Sequence, residues 1–494
     1  AQGPSALLRP GGPRARPRDA REPARRPRSE GCMSGDLADV LEGRGGATRL
    51  DLRGRYLGAE GLRPLTDALP LNRSITQLNL ASNLLGEAGA GLLAEALRAN
   101  RSVTELDLCD NHLRDAGVAR LSEALAVNGS IAQLGLAGNG LGAAGLGPLV
   151  RALEQSRSVS RLCLASNHLG TADAGVLAGA LEGCGLTQLS LRGNDLGAAW
   201  VRALAAALRT SEGLTQLDLG CNNLGAEGAR HLADALAANR GLAQLGLAHN
   251  GLGPAGASFL AEALRANGSL TQLDLCCNGL GPAGVRRLSE ALAAGSGLAW
   301  LGLECNEAGD EGAQLASEAL NAGARLAHLR LGRNRIGEAG ARALAEALHV
   351  NRSLTQLHLG KNRIGEEGVL ALTEAVRANG SVTHLSLEGN AFPEGAADAL
   401  AREVARNARG LRVLQLQLEP GPGPAGQVRV DVHGLDGEQL LQHQVDPGSP
   451  AFAVQRELEA RLAPETRLEF LLPDGRLLRQ LEPGAALNRP PAGP

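Results

Sequence analysis

The chain has 494 residues, a formal net charge of −3 at pH 7 and 1% aromatic residues. That charge gives no general attraction to nucleic acid or to an anionic membrane, and neither is expected as a partner. With so few large rings, an interior has to be filled by many Leu and Ala side chains in small repeated units, so the usual length-based estimate of about three domains does not apply.

Residues 1–32 are rich in Arg and Pro, carry no apolar signal-peptide core and read as disordered. The first residue is Ala1 and the one methionine is Met33, so the sequence is expected either to be a fragment or to start at Met33 behind translated non-coding sequence. Lys361 is the one lysine among 49 Lys and Arg residues, and Phe and Tyr are scarce, as in a GC-rich genome. Residues 33–45 read as an N-terminal helical cap, with Ser34 as N-cap and Leu37, Val40 and Leu41 as the apolar face. No run of about 18 apolar residues occurs, so no membrane-spanning helix is expected.

Over residues 46–418 one phrase recurs, Leu-x-Leu-x-x-Asn. It ends at Asn83, Asn111, Asn139, Asn167, Asn194, Asn222, Asn250, Asn278, Asn306, Asn334, Asn362 and Asn390. The step is 28 residues, except 27 from Asn167 to Asn194. One step back from Asn83 lies Arg55 in LDLRGR, a degenerate first copy, which makes about 13 units. A period in this range is the mark of a solenoid.

Each element of the phrase has a physical task. In Leu106-Asp107-Leu108 alternate side chains point to opposite faces of a short strand, leucines inward and Asp107 outward. Asn111 sits where the chain leaves the strand, and its amide can satisfy backbone groups turned inward at that bend. The following segment reads as a helix, with Ala90, Leu93, Ala94 and Leu97 on one stripe and Asn100 at its end. Strand and helix in constant alternation imply a parallel sheet with helices on one side, an α/β solenoid. Strands pack about 4.8 Å apart and helices roughly 8–10 Å, so the stack has to bend with the sheet inside.

These motifs, LxxLxLxxNxLxxxGaxxLaxaL at a 28-residue step over residues 46–418, resemble the ribonuclease-inhibitor-like class of leucine-rich repeats. That class includes the sensor arrays of NOD-like receptors and the GTPase-activating protein of Ran. The resemblance implies a horseshoe and protein binding, and it identifies no partner.

Residues 419–427 read as a Pro/Gly linker. In residues 428–488, VRVDV and LLQHQV form a hairpin, a helix starts near Ser449-Pro450, and LEFLLPDGRLL folds back as a further strand pair. This order resembles a ubiquitin-like β-grasp domain; a small α+β cap is the other reading. No terminal Gly-Gly is present, so conjugation is not expected, and residues 489–494 read as a disordered tail.

No GxxxxGK[ST], HExxH, GxSxG or paired CxxC occurs, so no catalytic residue, cofactor or metal site is expected. The 8 cysteines read as reduced thiols. Cys221, Cys277 and Cys305 share one repeat position, where a zinc or redox site is the alternative reading. Asn-x-Ser occurs at Asn72, Asn100, Asn128, Asn267, Asn351 and Asn379, all in the same helix-to-strand turn, so the repeat template rather than glycosylation explains it.

Side chains flanking the strand leucines face the hollow. Near the start they are Gln77, Asn79, Glu105, Asp107 and Asp110, in the middle mostly Gln, Gly and Ala. Towards the end they become Trp300, Glu304, His328, Arg330, Arg333, His358, Lys361 and His384, with Arg335 and Arg363 at the loop edge. An exposed Trp among cations reads as an anchor for an acidic protein surface, and Trp300, His328, Arg330, Arg333, His358, Lys361 and His384 are the binding candidates. Arg330 and His358 are expected about one strand apart, their charges reinforcing each other. The plainer reading is a polar surface with Arg supplied by codon bias. The expected function is an intracellular scaffold, cytoplasmic or nuclear, binding a protein partner. The alternatives are a GTPase-activating regulator of a small GTPase and a fragment of an innate-immune sensor.

Overall fold

The computed structural model describes residues 47–170, 174–410, 412–420, 428–433, 439–445 and 468–471. The expected disordered segments 1–32 and 489–494, the cap over 33–45 and the helix after Pro450 lie outside the described residues.

Thirteen three-residue strands, from Arg49–Asp51 to His384–Ser386, form one sheet whose order is the order of the chain. Neighbours are parallel. Gln77 lies opposite Glu105 and Glu105 opposite Gln133, while Arg161 lies opposite Gln188 across the short step. The central Leu of a strand is buried and its flanking residues stay open, as alternation requires. A helix follows each strand, from Gly58–Ala68 to Glu394–Gly410. Gly86–Ala99 buries Ala90, Leu93, Ala94 and Leu97 against the sheet. One hydrophobic core runs from Leu50 to Leu400.

Glycine sets how close successive helices come. A Cβ on Gly117 would stand 3.2 Å from the Ala90 Cβ and 3.3 Å from the Glu87 Cα of the preceding helix. Trp200 occupies the matching position of its own repeat and is fully buried in the helix Gly197–Leu208. Sequence reasoning did not single it out.

The recurring asparagines are buried and join the repeats. Asn111 Nδ2 donates to Leu80 O of the preceding repeat at 2.9 Å and to Leu108 O of its own at 3.0 Å. Its Oδ1 accepts the backbone N–H of Asn83 at 3.0 Å and of Leu85 at 3.4 Å. Each amide therefore closes the bend of one unit onto the next. The residue before the ladder Asn is held in the left-handed region, with φ of 56° at Arg333 and 58° at Lys361. Among the described residues Asn194 Oδ1 is buried without a partner, whereas Asn167 Oδ1 and Asn222 Oδ1 accept at 3.0 and 2.9 Å.

A second asparagine ladder runs along the helix-to-strand turns. Asn100 Nδ2 donates to Leu69 O at 2.8 Å and Asn72 O at 3.1 Å, and its Oδ1 accepts the N–H groups of Ser102 at 3.0 Å and Val103 at 2.9 Å. Asn128, Asn239, Asn267, Asn351 and Asn379 reach back in the same way. Ser102 Oγ adds a bond to Asn72 O at 3.1 Å, which is why Asn-x-Ser recurs.

The end of the array differs from expectation. Leu411–Leu418 reads as a last solenoid strand, but Arg412–Pro420 joins a separate four-stranded sheet. It pairs antiparallel with Val428–His433, which forms a hairpin with Gln439–Val445, and parallel with Leu468–Leu471. The array's last described element is thus the helix ending at Gly410, not Leu418, and 419–420 belong to a strand rather than to the linker 419–427. The physical reason lies in the phrase itself: LRVLQLQL alternates over a longer run and no ladder Asn follows to turn it.

Candidate partner-binding face

The register of the sheet lines up the residues that flank each buried Leu. Trp300 lies opposite His328, Arg330 opposite His358, and Gln356 opposite His384. Arg333 and Lys361 stand on the rim, in the left-handed turns before Asn334 and Asn362, and Arg333 N–H donates to Gly360 O at 2.9 Å. The predicted binding residues thus form one band over the last four strands, floor and rim together.

Within that band two expectations are corrected. Trp300 is half-buried, not exposed. Its ring lies over Gly302, where an added Cβ would stand 2.8 Å from Cη2, so the glycine makes the room. The Arg330 guanidinium sits 6.0 Å from the ring centroid and its Nε donates to Glu304 Oε1 at 3.1 Å. Arg330 is therefore a paired cation. Arg335 is paired as well, with Glu307 at 3.3 Å. Among the described residues no ion pair involves Arg333 or Lys361.

The second correction concerns charge. Burial holds the His328 imidazole below its usual range, with His384 adding to the effect. Burial also lowers His358, followed by the Arg330 guanidinium beside it, against the opposing pull of Glu304. Arg330 and His358 are adjacent as expected, yet they do not reinforce each other: the arginine helps keep the imidazole neutral.

A hollow lies N-terminal to the band. An open groove of about 840 Å³ runs from Arg49 to Trp300, lined by Gln133, Gln188, Gln216, Gln244 and Gln272 and by the carboxylates of Glu105, Asp107, Asp218 and Asp274. Trp300 is the one predicted residue that reaches it. Asp218 and Asp274 were missed because the middle strands read as merely neutral, although both repeat the position of Asp107. Each closes its own strand end: Oδ1 accepts the N–H of Cys109 at 3.0 Å from Asp107, of Gly220 at 2.9 Å from Asp218 and of Cys276 at 3.0 Å from Asp274. Each also leans over a glycine of the next strand, Gly135, Gly246 or Gly302, where a Cβ would stand 2.8 Å from the carboxylate.

Burial, with Asp107 adding, pushes the Cys109 thiol up to about 12, and burial pushes Cys184 to about 11. Among the described residues no group of three or more His, Cys, Asp or Glu is placed to hold a metal ion, and no helix is long and apolar enough to cross a membrane.

A family model described as Leucine Rich repeat matches residues 99–122, 213–233, 266–289, 326–345 and 350–372. No curated protein matches the chain in sequence. Among solved structures, an internalin of Listeria monocytogenes is similar at 16% identity and a TM-score of 0.36, over 74% of this chain and 86% of that one. The Rad7 and Elc1 complex of yeast is similar at 19% identity and a TM-score of 0.45, over 69% of this chain and 86% of that one. The matched repeats, the 13-stranded parallel sheet and the alternating helices make this chain a solenoid of the leucine-rich-repeat type.

Proposed function

We propose that the array is a non-catalytic scaffold that holds a protein partner on its concave face, with an acidic surface of that partner meeting the rim at Arg333 and Lys361. The observation that carries this reading is the contrast along the band. Arg330 is paired with Glu304, while the rim cations stand exposed one repeat apart, on the two repeats that follow the half-buried Trp300. Exposed charges of this kind steer association, and the amphipathic Trp300 ring on the same face supplies contact area.

The proposal includes a cytoplasmic or nuclear setting, supported by the sequon asparagines, whose side-chain nitrogens are committed to buried turns. It also includes a β-grasp-like C-terminal unit as a second docking surface, supported by the antiparallel hairpin of Val428–His433 and Gln439–Val445.

The test is affinity purification with mass spectrometry on the full chain and on Arg333→Glu/Lys361→Glu, followed by titration of the captured partner at two salt concentrations. Loss of capture by the variant and a salt-dependent affinity for the wild type are the expected results. Equal capture and no salt dependence overturn the reading.

A further inference from the structure

Cys277 and Cys305 occupy the left-handed position before Asn278 and Asn306, with φ of 55° and 59°. Their strands run side by side, Gln272 opposite Trp300, and the pairing continues past the strand ends. Leu275 N–H donates to Gly302 O at 2.9 Å, Cys277 N–H to Glu304 O at 2.8 Å and Asn278 N–H to Asn306 Oδ1 at 2.9 Å. The two cysteines are therefore level with each other on adjacent repeats. Level positions on neighbouring strands stand about 4.8 Å apart, within the window of about 4.4–6.8 Å between the Cα atoms of a disulfide. Burial pushes the Cys277 thiol up to about 11, and Cys305 beside it adds to the effect.

The same geometry sets aside Cys276 and Cys221. Cys276, next in the chain, has its sulfur 4.0 Å from Glu304 Oε2, and burial together with Asp274 pushes its thiol far above the usual range. Cys221 has the same backbone position and a φ of 56°, but the residues level with it one repeat away are Gly193 and His249.

We propose that Cys277 and Cys305 form a reversible disulfide that staples two repeats together on the rim of the concave face, beside the Glu304–Arg330 ion pair. The oxidant is a low-molecular-weight disulfide such as oxidised glutathione. The thiolate of one cysteine attacks a sulfur of that disulfide, its S–S bond breaks and one small thiol leaves. The second cysteine then attacks the mixed disulfide and expels the other half as a second thiol. The protein gives up two electrons and two protons, which reappear in the two S–H groups of the reduced oxidant.

The experiment equilibrates the native full-length chain with graded mixtures of oxidised and reduced glutathione. Free thiols are then trapped by alkylation at low pH, and the digested peptides are assigned by fragmentation. The expected result is a Cys277–Cys305 cross-link that accumulates as the mixture becomes more oxidising and disappears on reduction, while Cys221 is alkylated or carries a single glutathione. In Cys305→Ser the cross-link is lost and Cys277 carries glutathione instead. The proposal is overturned if Cys277 and Cys305 both remain alkylatable in mixtures that modify Cys221, or if the cross-link joins Cys276 to Cys277. The wild-type readout decides the matter even where the serine variant fails to fold.

Discussion

The Trp300 indole rests over Gly302, two residues along its own strand, in space that a Cβ would occupy at 2.8 Å from Cη2. A single methyl there displaces the ring without removing it, and also presses on the Asp274 carboxylate at 2.8 Å. Gly302→Ala is expected to weaken partner binding about tenfold, ~1.4 kcal/mol, while stability falls by about 1 kcal/mol or less. Isothermal titration and a denaturation curve on the same preparation check this. Unchanged affinity takes Trp300 out of the contact.

Charge on the band can be moved in two directions. Arg333→Glu with Lys361→Glu should slow association and reverse its salt response, because exposed charges act mainly on the on-rate. Glu304→Gln should do the opposite, since it frees the Arg330 guanidinium now held at 3.1 Å. The expected result is a few-fold faster association with an acidic partner. Stopped-flow rates at two ionic strengths measure both effects, and identical rates in the two variants contradict the acidic-surface reading.

Protonation of His358 reports on the same pair of residues. Its pKa is lowered first by burial and then by Arg330, so the folded state favours the neutral imidazole. The stability tied to it is full above the ordinary value of about 6.5 and declines as pH falls below that value towards the lowered one, where the unfolded chain binds the proton first. Arg330→Gln should move the His358 titration upward and shrink this decline. An NMR titration of the imidazole Cε1–H signal measures it; an unmoved midpoint removes Arg330 as a cause.

The ladder amides differ in what they hold. Asn278 donates to Leu247 O and Leu275 O and accepts the N–H of Asn250, whereas Asn194 Oδ1 has no partner. Asn278→Ala should cost about 3 kcal/mol, because lost bonds leave buried carbonyls and an N–H unpaired. Asn194→Ala should cost about 1 kcal/mol less. Urea titration of the two variants under one set of conditions makes the comparison, and equal losses mean that the acceptor side contributes little.

The architecture was legible because every unit states it again. The spacing of Leu106, Leu108 and Asn111 gives strand, inward face and bend, and 12 copies at a near-constant step leave one way to stack them. The band was legible as a set of positions, since register follows from that step. Its electrostatics were not. Glu304 and Arg330 are 26 residues apart, and the order of residues gives the sign of each charge without saying that their ends meet. The half-burial of Trp300 depends on a glycine two residues away, and the role of Asn100 was visible only as a recurring turn. Trp200 illustrates the same limit, a large ring at a site where Gly117 marks close contact in another repeat.

In a chain of units that touch only their neighbours, cooperativity is passed from hand to hand. Across the step from Asn167 to Asn194 the handover is weak: the acceptor of Asn194 is idle, and three successive turns carry Ser156, Cys184 and Ser211 in place of the asparagine, whereas the turns at Gly295 and Gly323, which also lack it, keep the ladder at Asn306 and Asn334 paired. The horseshoe therefore has a seam. Amide exchange should divide there into two foldons with separate opening energies, and a pulling force should release the shorter arm, Arg49 to Cys163, as one event while the arm bearing Trp300 and Lys361 stays wound.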